Sequence, residues 1–133
     1  MDRTRLNRHG LTAAIFVGGC AGALARAGLD RLLPAHGGWP WGTFAANVAG
    51  TAALAYFATR LQERLPPSTF RRPLLGTGFC GALTTFSTLQ IEAISLARHG
   101  HAALAVAYYA ATTAAGIAAI FGVTRLVRRA RLR

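Results

Sequence analysis

Apolar residues in this chain gather into long blocks rather than the narrow stripes of a water-soluble fold, and polar residues fall mostly between the blocks. Four blocks stand out, over residues 11–33, 41–61, 73–97 and 101–125. Crossing about 30 Å of hydrocarbon takes about 20 apolar residues in a helix, so each block predicts one membrane span. In the first, Arg26, Asp30 and Arg31 interrupt the last turns and belong at the interface. The second follows Trp39 and opens at Trp41, ring types favoured at headgroup level, and is uncharged as far as Arg60. The third is uncharged until Glu92, yet it holds Gly76, Gly78, Gly81 and a run of hydroxyls, which predicts a helix broken near its centre. The fourth carries Ala103, Ala107, Ala111, Ala115 and Ala119 at a spacing of four, a smooth ladder against which another helix can pack. Pro and Gly in 34–40 and 60–73, and the short Arg98-His99-Gly100 turn, end the blocks. The prediction is an all-α membrane protein of four transmembrane helices, with residues 1–133 forming one integral membrane domain.

Composition agrees: 53% of the 133 residues are hydrophobic and 14% are charged, too few charges for an ordinary aqueous surface. All 15 basic residues are arginine. Twelve of them (Arg3, Arg5, Arg8, Arg60, Arg64, Arg71, Arg72, Arg125, Arg128, Arg129, Arg131 and Arg133) fall on one side of a four-span chain, and Arg31 and Arg98 on the other. The positive-inside rule then puts both termini in the cytoplasm. A net charge of +11 raises the question of nucleic acid, but these arginines flank apolar spans and form no stripe interleaved with aromatics, so no nucleic acid partner is expected. The run ending Val17-Gly18-Gly19-Cys20 has the look of a lipoprotein signal, yet cleavage there would discard half of a span and keep three others. Cys20 and Cys80 lie inside apolar blocks as small hydrophobes, with no metal-ligand spacing and no implied disulfide.

Catalytic material is scarce. Of the four acids, Asp2 is terminal, Asp30 and Glu63 stand beside Arg31 and Arg64, and Glu92 alone falls within a span. The histidines sit at span ends, and no base is placed to activate Ser87. An enzyme is not expected. What remains is uncharged polarity at membrane depth: Asn47 in the second span, Thr84, Thr85, Ser87 and Thr88 in the third, Thr112 and Thr113 in the fourth. Singly, each is explained by a bond back to a carbonyl one turn earlier or by helix-to-helix glue. Together they bring donors to one depth without charge, which suits a small anion that must shed its hydration and still leave. An aromatic edge such as that of Phe86 offers a further partial positive charge.

Three stretches resemble motifs of the Fluc (CrcB) fluoride channels: Gly19-Cys-Ala-Gly22-Ala23-Leu-Ala-Arg26, Gly42-Thr43-Phe-Ala-Ala-Asn47-Val-Ala-Gly50, and Gly78-Phe-Cys-Gly81-Ala-Leu-Thr84-Thr85-Phe86-Ser87-Thr88. The third is the most specific, and length and motif order agree along nearly the whole chain. The resemblance implies an antiparallel, dual-topology dimer with two fluoride pores, passive fluoride export, and residence in the bacterial inner (plasma) membrane among lipid. It implies a structural sodium ion (Na+) held by the backbone carbonyls of Gly81 and Thr84, and no organic cofactor. It places Asn47 and Phe86 on the anion and Ser87 and Thr88 along a polar track faced by Tyr108 and Thr112. Arg26 and Glu92 belong near a vestibule, or simply at the solvated interface.

Two departures from that family stand out. Where a second phenylalanine is expected three residues after the first, this chain has Leu89, which shares a helix face with Phe86 but has no positive edge. And an antiparallel homodimer needs insertion both ways, whereas twelve arginines against two favour one orientation. The partner is therefore either a second copy or an oppositely oriented homologous subunit. Two other classes fit four short spans. A small multidrug transporter requires a carboxylate in the first span, and 11–25 has none. A structural, holin-like membrane protein would leave Asn47 and the hydroxyls without a transport role.

Overall fold

The computed structural model describes residues 3–63 and 70–130, with side chains from residue 8 to 60 and from 70 onward. Asp2, Arg64, Arg131 and Arg133, and the side chains of Arg3, Arg5 and Glu63, lie outside the described residues. The chain is helical: α1 (Arg3–Leu32), α2 (Trp41–Glu63), α3 (the π-wound Pro73–Cys80 continuing as Gly81–Leu83), α4 (Phe86–Arg98) and α5 (Ala102–Arg129). The third predicted span is thus divided between α3 and α4, and the gap is Thr84-Thr85, both extended (φ/ψ −81/152° and −147/124°).

Two of the helical stretches, Arg8–Leu32 and Ala102–Arg129, are each long and apolar enough to cross a membrane, while only 11% and 17% of their most apolar stretches is buried. Core helices of soluble proteins bury such faces. Here Phe16, Leu24, Ile91, Val106, Phe121 and Leu126 all stand exposed, as they do when the solvent is lipid.

Local chemistry ends each helix. Gly37 and Gly38 both have positive φ (60° and 80°) and close a two-residue hairpin in which His36 and Trp39 exchange backbone bonds of 3.2 and 3.1 Å. This turn lays Trp39 edge-on against Tyr108, with ring centroids 5.4 Å apart. At the end of α4, Gly100 (φ 84°) allows His101 N–H to reach back to Leu96 O at 2.9 Å and Gly100 N–H to Ala97 O at 3.2 Å, a Schellman ending.

The closest approach in the fold joins α1 to α3. Gly18 and Gly22 lie one turn apart on α1, and a Cβ at either would fall on the carbonyl oxygen of Leu74 or Phe79; Gly78 answers from α3 against Ile15 and Gly18. Small residues let backbones touch where no hydrophobic effect drives helices together. The packing on α5 differs from the expectation. Its buried line is Ala105, Tyr108 and Thr112, whereas Ala103 and Ala107 of the ladder are exposed and Ala111, Ala115 and Ala119 half-buried. A spacing of four advances about 40° per step on a helix of 3.6 residues per turn, so the ladder winds around α5 instead of facing one neighbour.

Gly22→Val should destabilise the subunit by about 1–3 kcal/mol through overpacking, read as a lower midpoint of thermal unfolding in detergent. Gly19→Ala, with nothing within 4 Å of the added carbon, should leave that midpoint unchanged.

Candidate functional site

Breaking a helix at membrane depth strands backbone groups that lipid cannot satisfy. Asn47 of α2 meets the two at the break: its Nδ2 donates to Thr85 O at 3.0 Å, and its Oδ1 accepts from Thr85 N–H at 2.7 Å. One side-chain amide thereby pairs with one residue's backbone in both directions, as a neighbouring strand would. Thr85 then starts the next helix, its hydroxyl accepting from Thr88 N–H at 3.2 Å as the N-cap of α4. The same oxygen bonds Thr88 Oγ1 at 3.0 Å and approaches Ser87 Oγ at 3.3 Å. Gly50, one turn beyond Asn47, leaves the space that Thr84 Cγ2 takes.

A second polar centre lies one turn the other way along α2. Thr43 Oγ1 donates to Glu92 Oε1 at 2.8 Å and Tyr108 OH to Glu92 Oε2 at 2.7 Å, so both carboxyl oxygens are taken by hydroxyls. Thr43, Asn47 and Gly50 stand at i, i+4 and i+7, one stripe of α2. That stripe meets Glu92, Thr85 and Thr84 in turn. The spacing of the second motif is the register of this contact.

Between α2, the break and α5 lies an open groove of about 380 Å³, lined by Asn47, Thr51, Thr84, Thr85, Thr112 and Thr113 and walled by Phe86, Leu89, Tyr109, Ile117 and other apolar groups. Among the described residues no charged side chain lines it. Phe86 is 65% exposed and Leu89 5%, so the ring projects outward from the break and the leucine is turned inward. Thr112 and Thr113 bond back to Tyr108 O and Tyr109 O at 2.8 and 2.9 Å, and Thr84 to Cys80 O at 2.9 Å; these hydroxyls follow the local explanation, each with its one hydrogen committed to a carbonyl.

Of the residues singled out from the sequence, Asn47, Thr84, Phe86, Leu89 and Thr112 meet at the groove. Ser87 and Thr88 join it through Thr85. Tyr108 is fully buried with its hydroxyl on Glu92, apart from the groove lining. Gly81 is exposed at the end of the π-wound segment, and Arg26 is half-buried on α1. Thr43, Thr51, Tyr109 and Thr113 were not assigned to the site from sequence. The signal for Thr43 was its position four residues before Asn47; Tyr109 and Thr113 lie one turn apart, beside Tyr108 and Thr112.

The family comparison bears on this geometry directly. The model of the family described as CrcB-like protein, Camphor Resistance (CrcB), matches residues 13–123, a range that holds the break, both polar centres and the whole groove. The chain belongs to the CrcB-like family. Among its CrcB-like relatives, a protein of Mycobacterium bovis named fluoride-specific ion channel FluC 1 is 56% identical over 91% of this chain and 92% of its own length. One from Streptomyces avermitilis, named fluoride-specific ion channel FluC 3, is 38% identical over 98% of this chain and 66% of its own. A Methanopyrus kandleri protein named fluoride-specific ion channel FluC is 39% identical over 83% of each.

Asn47→Leu, close in size, should cost about 2–6 kcal/mol, since it strands both a donor and an acceptor at about 1–3 kcal/mol each. Chemical denaturation in detergent measures this, and an unchanged midpoint would mean that the clamp contributes nothing to stability.

Proposed function

We propose that this CrcB-like chain forms a passive, fluoride-selective channel through which fluoride leaves the cytoplasm. The observation that carries the reading is the break at Thr84-Thr85, whose stranded backbone is held by Asn47 beside a groove of hydroxyls without charge. Neutral donors replace part of an anion's hydration without trapping it, and discontinuous helices are a recurring way to present such groups at the membrane midplane. Its relatives bear the name of ion channels, and the protein is a channel rather than an enzyme.

In this reading Asn47 donates its second amide hydrogen to fluoride, since the bond to Thr85 uses one of two, while the edge of the Phe86 ring offers partial positive charge. Leu89 supplies no second edge, which weakens one anion position. Ser87 and Thr88 continue the track, faced by Thr112, and the Glu92 carboxyl with Tyr108 lies at its vestibule end, with Arg26 one turn along α1 from Asp30, which stands beside Gly42 at that same end.

The groove opens sideways, and a second subunit in antiparallel orientation closes it, giving two pores per dimer. The partner is a second copy or an oppositely oriented homologous subunit. Structural Na+ at that interface suits the backbone: Thr85 N–H turns to Asn47, so the Gly81 carbonyl lacks its usual helical donor, and Gly81 is exposed. Carbonyl oxygens of Gly81 and Thr84 are the hard donors a sodium ion takes. The multi-pass subunit resides in the bacterial plasma membrane with both termini cytoplasmic in one orientation.

Purified protein in liposomes loaded with fluoride should release it without an energy source, followed with a fluoride electrode. Phe86→Ile should slow release by at least about tenfold, a loss of about 1.4 kcal/mol at the limiting step, and Leu89→Phe should speed it. Absence of release from the unaltered protein contradicts the reading, and equal rates before and after Leu89→Phe remove the role given to the second ring. Single cysteines added at the termini and labelled in intact cells decide the partner: labelling from both sides means a homodimer, from the cytoplasmic side alone an opposed homologous subunit.

A further inference from the structure

At the arginine-rich end of the molecule, away from the break, an open groove of about 520 Å³ is lined by Phe121, Thr124, Arg125, Arg128 and Arg129. We propose that this groove binds the phosphate headgroup of an anionic phospholipid, with Arg125 and Arg129 on the phosphate and Phe121 against the first part of an acyl chain.

The register of α5 sets the depth. Its 28 residues extend about 42 Å at 1.5 Å per residue, which matches the hydrocarbon plus both headgroup layers, about 40–45 Å. The last turns therefore reach the level of lipid phosphates, and the three arginines occupy those turns. Phe121 lies one turn deeper, 72% exposed. Positions 121, 125 and 129 are two steps of four, within about 80° of one another around α5, so this side of the helix reads apolar ring, guanidinium, guanidinium from the hydrocarbon outward. Arg125 and Arg129 are both exposed.

Charge selects the ligand. On this side of the chain twelve arginines face two acids, Asp2 and Glu63, and among the described residues no acidic side chain lines the groove. The C-terminal end of a helix carries about half a negative charge, which one arginine compensates; Arg125 and Arg129, both exposed, can then turn to an external anion. Arginine meets phosphate oxygens through two parallel N–H bonds, a geometry lysine lacks. Two neighbouring grooves at the same end repeat the pairing of apolar wall and arginine: one of Leu54, Phe57, Ala58, Gly76 and Thr77 with Arg72, one of Tyr56, Val123, Leu126 and Val127 with Arg60. Of these three grooves of described residues, the one on α5 holds several arginines. A lipid has an acyl chain for Phe121 as well as a phosphate for the arginines, which free phosphate has not.

The test is native mass spectrometry of the purified full-length protein in micelles containing equal amounts of phosphatidylglycerol and phosphatidylcholine, counting lipids retained. The unaltered protein should keep phosphatidylglycerol preferentially, and Arg125→Gln/Arg129→Gln should lower that preference by about tenfold. Arg98→Gln, at the other end of the molecule, should leave it as it was. If the double glutamine variant does not fold, Arg125→Lys/Arg129→Lys keeps the charge and should retain part of the preference, with Phe121→Ala lowering retention of both lipids. An undiminished preference in the double glutamine variant overturns the proposal, as does, if the other variants must stand in, an undiminished preference in the double lysine variant or undiminished retention of both lipids in Phe121→Ala. So does displacement of the lipid by inorganic phosphate at equal concentration, which would make this a free-anion site. None of these readouts depends on fluoride release, so the lipid site and the channel reading stand or fall separately.

Discussion

A helix interrupted inside a bilayer must find partners for the backbone groups it gives up, and in this protein a single amide serves both backbone groups of Thr85 at the break. Asn47 accepts from Thr85 N–H and donates to Thr85 O. An unpaired buried group costs about 1–3 kcal/mol, so the break is tolerable only while Asn47 faces it. The rest of α2 is placed accordingly: Thr43 a turn before and Gly50 a turn after, one holding Glu92 and the other making way for Thr84.

From this contact the groove follows. Thr84 and Thr85 are extended, so α4 begins afresh with its own cap, Phe86 projects outward, and hydroxyls that a continuous helix would spread around its circumference gather at one level. The same turn of Thr85 N–H toward Asn47 deprives Gly81 O of its usual donor, so one hydrogen-bond exchange shapes the backbone on both sides of the break. Tight glycine contacts between α1 and α3 anchor the other half of the interrupted element, so the break is framed by rigid packing rather than slack chain.

Much of this was legible in the residues. Apolar blocks located the helices, and glycines beside clustered hydroxyls marked the interruption, because both signals come from composition and local conformation. The pairing of Asn47 with Thr85 was not legible, since it joins positions 38 apart. Nor was the triad of Thr43, Glu92 and Tyr108, whose members come from three helices. The alanine ladder misled for a geometric reason: a spacing of four drifts around a helix, and the buried line of α5 runs instead through Ala105, Tyr108 and Thr112. The π-wound stretch at Pro73–Cys80 has no residue signature of its own beyond its glycines.

The claim on which the account turns is that Asn47 has two duties, holding the break and offering a donor to the anion. Asn47→Asp keeps half of the first duty and removes the second, because a carboxylate still accepts from Thr85 N–H but donates neither to Thr85 O nor to an anion, which it repels. The decisive measurement is fluoride release from liposomes by this variant at neutral pH, after its elution profile has been matched to that of the unaltered protein. Release slowed by at least about a hundredfold, about 2.7 kcal/mol, is the predicted result; release at the unaltered rate would contradict the account.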